Sequence, residues 1–234
     1  MTGEILVRTL ADVEAIEANP LSHLNLPQST YHAIKDAATT YPNRVAFKKL
    51  LTGSAEEQPQ ILLYRDLIAK IHQTANLLHE LNVGKDDAVT LLLPIIPETS
   101  ICLWAAAANG IANPVNSFLE TDHLVAIMRS GKAKVVIGCH PSIESTSWPR
   151  VQAIREQIPD LITIQLGGEG KDLDPGVIHF ETAISMQPDD RLVSGREPQG
   201  HDTCAYLHTG GTTGAPKLAR HHHQAQLLQC AGLD

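Results

Sequence analysis

The sequence holds no run of lysine or arginine, and its 18 basic residues are outnumbered by 26 acidic ones, giving a formal net charge of −8. A nucleic-acid surface needs a basic patch, so a nucleic-acid partner is not expected. No apolar run approaches the roughly twenty residues that cross a bilayer, and the N-terminus lacks a basic-then-apolar secretion signal. The four cysteines, Cys102, Cys139, Cys204 and Cys230, are far apart and include no Cys-x-x-Cys pair, as reduced core thiols would be. A cytoplasmic protein without a membrane span is the expectation. Two nucleotide signatures are missing as well, Gly-x-x-x-x-Gly-Lys-Ser/Thr and Gly-x-Gly-x-x-Gly, and there is no internal repeat.

What is present suffices for a large core, since 43% of the 234 residues are apolar. Residues 1–28 read as an N-terminal extension, with a short amphipathic helix around Leu10, Val13 and Ile16 and a linker bounded by Pro20 and Pro27. From residue 29 to 234 the chain reads as part of one domain. Ser29 or Thr30 caps a helix to about Tyr41, and Val45 to Leu51 with Ile61 to Tyr64 form a hairpin. Leu67, Ile68, Ile71, Ala75, Leu78 and Leu81 recur at helical spacing, with Gly84 as the stop. Ala88 to Leu93 is a strand covered on both faces, and Pro97-Glu98 opens a helix that runs through alanines to Asn109-Gly110. Strand, helix, strand then continue through 111–115, a helix capped by Thr121-Asp122, 134–138, a helix after Trp148 and 161–166. Such alternation with short connections predicts an α/β fold with a parallel-rich sheet covered by helices on both faces. Residues 167–200 read as a loop-heavy connection, with a short strand at 177–180 and a helical turn at 181–186.

One stretch asks for a chemical explanation, Tyr206-Leu207-His208-Thr209-Gly210-Gly211-Thr212-Thr213-Gly214-Ala215-Pro216-Lys217. The apolar run from Cys204 to Leu207 reads as a buried strand, and the glycines and threonines after it can continue neither strand nor helix. Glycines let several backbone N–H groups converge on one point, threonine hydroxyls add donors, and Lys217 adds a cation. That combination suits a polyphosphate, and in an open α/β sheet the carboxyl end of a strand is where ligands gather.

Thr209-Gly210-Gly211-Thr212-Thr213-Gly214-Ala215-Pro216-Lys217 resembles the signature loop of the class I adenylate-forming enzymes, the superfamily of acyl-CoA synthetases, peptide-synthetase adenylation domains and luciferases. The segment from Val89 through Pro94-Ile95-Ile96-Pro97-Glu98 to Asn109-Gly110 and Asn116 is similar to a second block of that family, as is Tyr64-Arg65-Asp66-Leu67. The resemblance covers roughly residues 29 to 225 and is greatest to acyl-CoA synthetases. It implies two-step chemistry with ATP, Mg2+ and coenzyme A: a carboxylic acid is adenylated with release of pyrophosphate, and a thiol of CoA or a carrier protein takes the acyl group. By position, Thr209, Gly210, Gly211, Thr212, Thr213 and Gly214 would hold the β- and γ-phosphates, and Lys217 would steady the same anion. His223 stands where members carry a histidine near the acyl and adenylate pocket, so Lys217 and His223 are the candidate catalytic residues; no metal ligand of the chain is implied.

Several features depart from the pattern. Gly210 replaces the usual serine, and Leu218 stands where a glycine follows the lysine, putting a side chain where the backbone is usually bare. The adenine and ribose motifs, the hinge and the distal lysine of the family would all lie beyond Asp234. The resemblance therefore implies an N-terminal portion that is inactive alone and needs a missing C-terminal half, or else a naturally truncated nucleotide- or partner-binding module. A Rossmann oxidoreductase fits the fold class but lacks its glycine turn. His221-His222-His223 reads as solvated or pocket-lining histidines, since successive side chains diverge. Asp86-Asp87 and Asp189-Asp190 read as turn residues, and Trp104 and Trp148 as packing residues.

Overall fold

A computed structural model describes residues 7–18, 24–50, 53–54, 56–171, 173–209 and 217–231. The elements are α1 (Leu10–Glu17), α2 (Thr30–Thr40), β1 (Val45–Lys49), β2 (Gln60–Leu63), α3 (Tyr64–Glu80), β3 (Ala88–Leu92), α4 (Pro97–Asn109), β4 (Ile111–Pro114) and α5 (Thr121–Ser130). They continue with β5 (Ala133–Cys139), α6 (Ser147–Gln157), β6 (Ile162–Leu166), β7 (Val177–His179), α7 (Phe180–Ser185), β8 (Thr203–His208), β9 (Leu218–His222) and α8 (His223–Ala231). The strand order is β7-β6-β5-β3-β4-β8-β9, parallel throughout except for the antiparallel pair β8-β9; β1 and β2 form a separate antiparallel pair. The expected α/β architecture is what the chain adopts.

Helices cover both faces. Side chains of α3, α4 and α7 pack on one face with Val89, Leu91 and Ile137, and α5 and α6 pack on the other with Leu92 and Val136. A third cluster joins Tyr31 of α2, Leu67 and Ile71 of α3, and Ile101 and Ala105 of α4 outside the first layer. The periodic stripe of α3 is the stripe that is buried, with Leu67, Ile71, Ala75 and Leu78 all inaccessible. Every residue of β3 is buried, as a central parallel strand requires. Ser29 caps α2 by accepting the His32 N–H at 3.3 Å. Trp148 of α6 is buried in the core, and Trp104 is half-buried against Phe47.

Alanines 105–108 let α4 approach closely, and Gly110 takes this furthest. A Cβ there would stand 2.6 Å from the Asp87 carbonyl oxygen and 2.9 Å from that of Gly84. Because both are backbone atoms, Gly110→Ala is expected to destabilise the fold by about 2 kcal/mol, the scale of overpacking. A urea-denaturation midpoint that matches the parent protein would contradict this.

The structure corrects the expectations in four places. Residues 218–222, to which no element was assigned from the sequence, form β9. The strand before the glycine-threonine loop runs from 203 to 208 and is not buried throughout, since Leu207 is exposed. The N-cap of α5 is Glu120, without a side-chain bond, instead of Thr121 or Asp122. Cys230 is exposed near the end of α8, whereas Cys102, Cys139 and Cys204 are buried.

Candidate functional site

The site is built on the β8-β9 hairpin. β8 lies parallel to β4 through Ala112 and Ala205, so it ends on the same edge as β3 and β4. The chain then leaves and returns antiparallel, with His208 opposite Leu218. Beyond that pair the Thr209 N–H donates to the Lys217 carbonyl at 3.0 Å, which closes the neck of the loop. Thr209 and Lys217 are both exposed there. Gly210, Gly211, Thr212, Thr213 and Gly214 lie outside the described residues.

The neighbouring strand ends contribute to the same edge. His208 Nε2 accepts the Asn116 N–H at 3.4 Å, tying the turn after β4 to the end of β8. Ile95 after β3, Phe118 after β4 and Leu207 of β8 are exposed apolar residues, one following or ending each of these three strands. Strand ends of this kind combine polar backbone groups with apolar side chains, which suits a ligand having both a charged and an apolar part. His208, Leu207, Ile95 and Phe118 were given no role of their own from the sequence, and no local pattern links them.

Leu218, the residue that departs from the loop pattern, turns its side chain into the core. It packs with the cluster under α5 and α6, and its Cδ1 would be 3.3 Å from a Cβ placed on Gly131. The fold thus accommodates the leucine by packing it, partly buried, against that cluster.

The three histidines occupy three environments. His221 is half-buried and its carbonyl faces the Cys204 thiol at 3.3 Å; His222 is exposed; His223, the first residue of α8, is fully buried. The Thr30 N–H donates to His223 Nδ1 at 3.4 Å, with the Thr30 hydroxyl 2.8 Å from the same nitrogen, so the proton of the neutral ring belongs on Nε2. Nε2 is buried, and among the described residues it has no partner at good hydrogen-bond geometry; the Ala107 carbonyl is the backbone acceptor near the ring. Burial is the main cause that pushes this histidine down to about 4; Asp202 and the Ala107 carbonyl favour the proton but do not offset it, and Arg196 and His32 oppose it. Around it, the Asp202 carbonyl accepts the His223 N–H at 3.3 Å, the Gly200 carbonyl accepts the Gln224 N–H at 2.8 Å, and Arg196 donates to the Asn109 carbonyl and to Asp202 Oδ2 at 3.2 Å. Burial raises the Asp202 carboxyl, but the Gln199 N–H and Arg196 outweigh it and hold the group below its usual value. The structure therefore places His223 against the start of α2, not beside Lys217 at the neck of the loop.

The acidic pairs act in turns. Asp87 accepts the Gly84 N–H at 2.8 Å and pairs with Lys134 at 3.1 Å, and Asp190 pairs with Arg191 at 2.8 Å. Among the described residues no helix is long and apolar enough to cross a membrane.

A family model described as AMP-binding enzyme matches residues 34–234. Among curated proteins, the chain is 31% identical over 223 residues to marinolic acid–CoA ligase of a Pseudoalteromonas species, covering 95% of this chain and 34% of that protein. It is 30% identical over 184 residues to crotonobetaine/carnitine–CoA ligase of Salmonella arizonae, covering 78% of this chain and 34% of the relative. The chain thus spans about a third of the length of these relatives. Among solved structures, the anthranilate CoA ligase AuaEII in complex with anthranoyl-AMP superposes with a TM-score of 0.73 at 22% identity, over 88% of this chain and 37% of that one. A Brucella canis acyl-CoA synthetase gives a TM-score of 0.72 at 20% identity, over 92% and 39%. These two likenesses concern the fold.

Proposed function

The chain belongs to the AMP-binding enzyme family, and on that premise we propose that it is the phosphate-gripping part of an ATP-dependent acid–CoA ligase. The observation that supports this is the Thr209–Lys217 backbone bond, which joins the two flanks of the glycine-threonine segment at the carboxyl edge of the sheet. In the proposed reaction a carboxylate oxygen bonds to the α-phosphorus of MgATP and the bond to the β-phosphate oxygen breaks, giving an acyl-adenylate and pyrophosphate. The thiol of CoA then bonds to the acyl carbon, its proton is lost, and AMP leaves. The loop N–H groups, the threonine hydroxyls and Lys217 stabilise charge on the β- and γ-phosphates, which leave as pyrophosphate. The magnesium ion enters with the nucleotide phosphates. His223 serves this site as a positioning residue that fixes the start of α8.

The names of the relatives favour acid–CoA ligation over carrier-protein loading. Because the chain spans about a third of their length, the reading assigns adenine, ribose and acyl recognition to groups outside these 234 residues, and the chain by itself to phosphate binding without turnover. Calorimetric titration with MgATP and with pyrophosphate tests this. Both are expected to bind, and Lys217→Ala is expected to weaken pyrophosphate binding about ten-fold, the low end for a charge-assisted bond on an exposed loop. Equal affinity in the two proteins would sink the assignment.

A further inference from the structure

On the face covered by α3, α4 and α7, a cavity of about 300 Å3 opens between the β1-β2 hairpin and the first turns of α4 and α7. Its floor is apolar, formed by the buried Ile101, Phe180 and Ile184. Its rim carries Lys49, Lys70, Glu98 and Glu181, whose formal charges cancel. Glu181 is occupied by the Gly167 N–H, at 2.9 and 3.2 Å, and Lys70 by Gln73 at 3.0 Å. Lys49 and Glu98 form a looser pair. Their Nζ and Oε2 face each other at 3.6 Å, beyond hydrogen-bond reach, and that Oε2 is buried with no hydrogen-bond partner among the described residues. No residue of β8, β9 or α8 lines the cavity, so it is separate from the hairpin site.

A buried acceptor without a donor marks an unfilled position. We propose that the cavity is a second binding site, for a small apolar carboxamide. The amide N–H donates to Glu98 Oε2, its carbonyl accepts from Lys49 Nζ, and its tail covers Ile101, Phe180 and Ile184. A neutral head follows from the rim: because its charges cancel, an ammonium or carboxylate would bring an uncompensated charge into a half-enclosed apolar cleft. A head that donates and accepts at once satisfies both members of the loose pair. The volume, at the lower end for ligand pockets, sets a short tail.

The test is a saturation-transfer NMR titration of the 234-residue protein with hexanamide, and with hexanoate and hexylamine as equal-tail comparisons. Hexanamide is expected to bind at least ten-fold more tightly than either charged compound. The preference should vanish in the Lys49→Met/Glu98→Leu pair, and binding should fall at least ten-fold in Ile184→Trp, which fills the floor. Lys217→Ala should bind hexanamide as the parent does, even if phosphate binding is lost. Absence of hexanamide binding, equal or tighter binding of hexanoate or hexylamine, or loss on Lys217→Ala would overturn the proposal. The head-group comparison needs no variant, so it decides the matter even where a substitution unfolds the protein.

Discussion

Acidification from pH 6.5 to pH 4 is expected to remove about 3 kcal/mol of stability through His223 alone, from a fall of the ring's affinity for protons from 6.5 to about 4 at roughly 1.4 kcal/mol per unit. The sign follows from which state binds the proton. The folded protein keeps the ring neutral down to about pH 4, whereas the unfolded chain takes the proton at about 6.5. Between those values the unfolded state holds more protons, so the contribution is present in full above 6.5, is lost as pH falls, and is constant again below about 4. His72 acts in the same direction. Burial lowers its affinity for protons, its Nδ1 is bonded to the Asp189 carbonyl at 2.8 Å, and its Nε2 lies 3.0 Å from the Tyr31 hydroxyl. Measured by urea midpoints across this range, His223→Gln should therefore flatten the pH dependence by at least half without abolishing it. An unchanged slope in that variant would show that the buried ring is not what titrates.

Asn76→Ala is expected to cost about 4 kcal/mol. This side chain, 1% exposed on the inner side of α3, donates to the carbonyls of Pro188 and Arg191 at 2.8 and 2.9 Å and accepts the Val193 N–H at 2.8 Å. Truncation leaves three backbone groups without these partners, and each such part-buried group costs about 1–3 kcal/mol, less where water can enter. The loss is a large fraction of the 5–15 kcal/mol typical of a whole fold. It should appear as a lower denaturation midpoint together with faster amide exchange at Val193. A midpoint within error of the parent would mean that the 188–193 segment is held by something other than this clamp.

The extent to which the fold was legible follows from where its information lies. α3 and β3 could be read because apolar spacing and continuous apolarity are local properties of Leu67 to Leu78 and Ala88 to Leu92. β9 could not, because Leu-Ala-Arg-His-His has neither alternation nor an apolar run, and β8 supplies the partner that makes it a strand. The 167–200 region read as loosely connected loop for a similar reason. What orders part of it is Asn76 and His72, polar residues on a helix more than 110 positions earlier, whose role no spacing announces. At the site, Thr209 and Lys217 were legible from an ordered motif, and the structure sets them at a shared neck. The Asn116–His208 contact joins the ends of two strands 92 residues apart and had no local sign. For His223 the environment was not legible, since the partner of its ring is Thr30, 193 residues away.

The strand order has a bearing on how the molecule assembles. β3 and β4 find each other through a single crossover and β5 joins β3 about 45 residues on, whereas β8 must pair with β4 across about ninety residues, Ala112 with Ala205. Closing a longer loop carries a larger entropic cost, and such non-local pairings slow folding. The β8-β9 hairpin is therefore expected to dock late, onto a sheet whose centre already exists. The proposed nucleotide site is then expected to be the last part of the described fold to be completed.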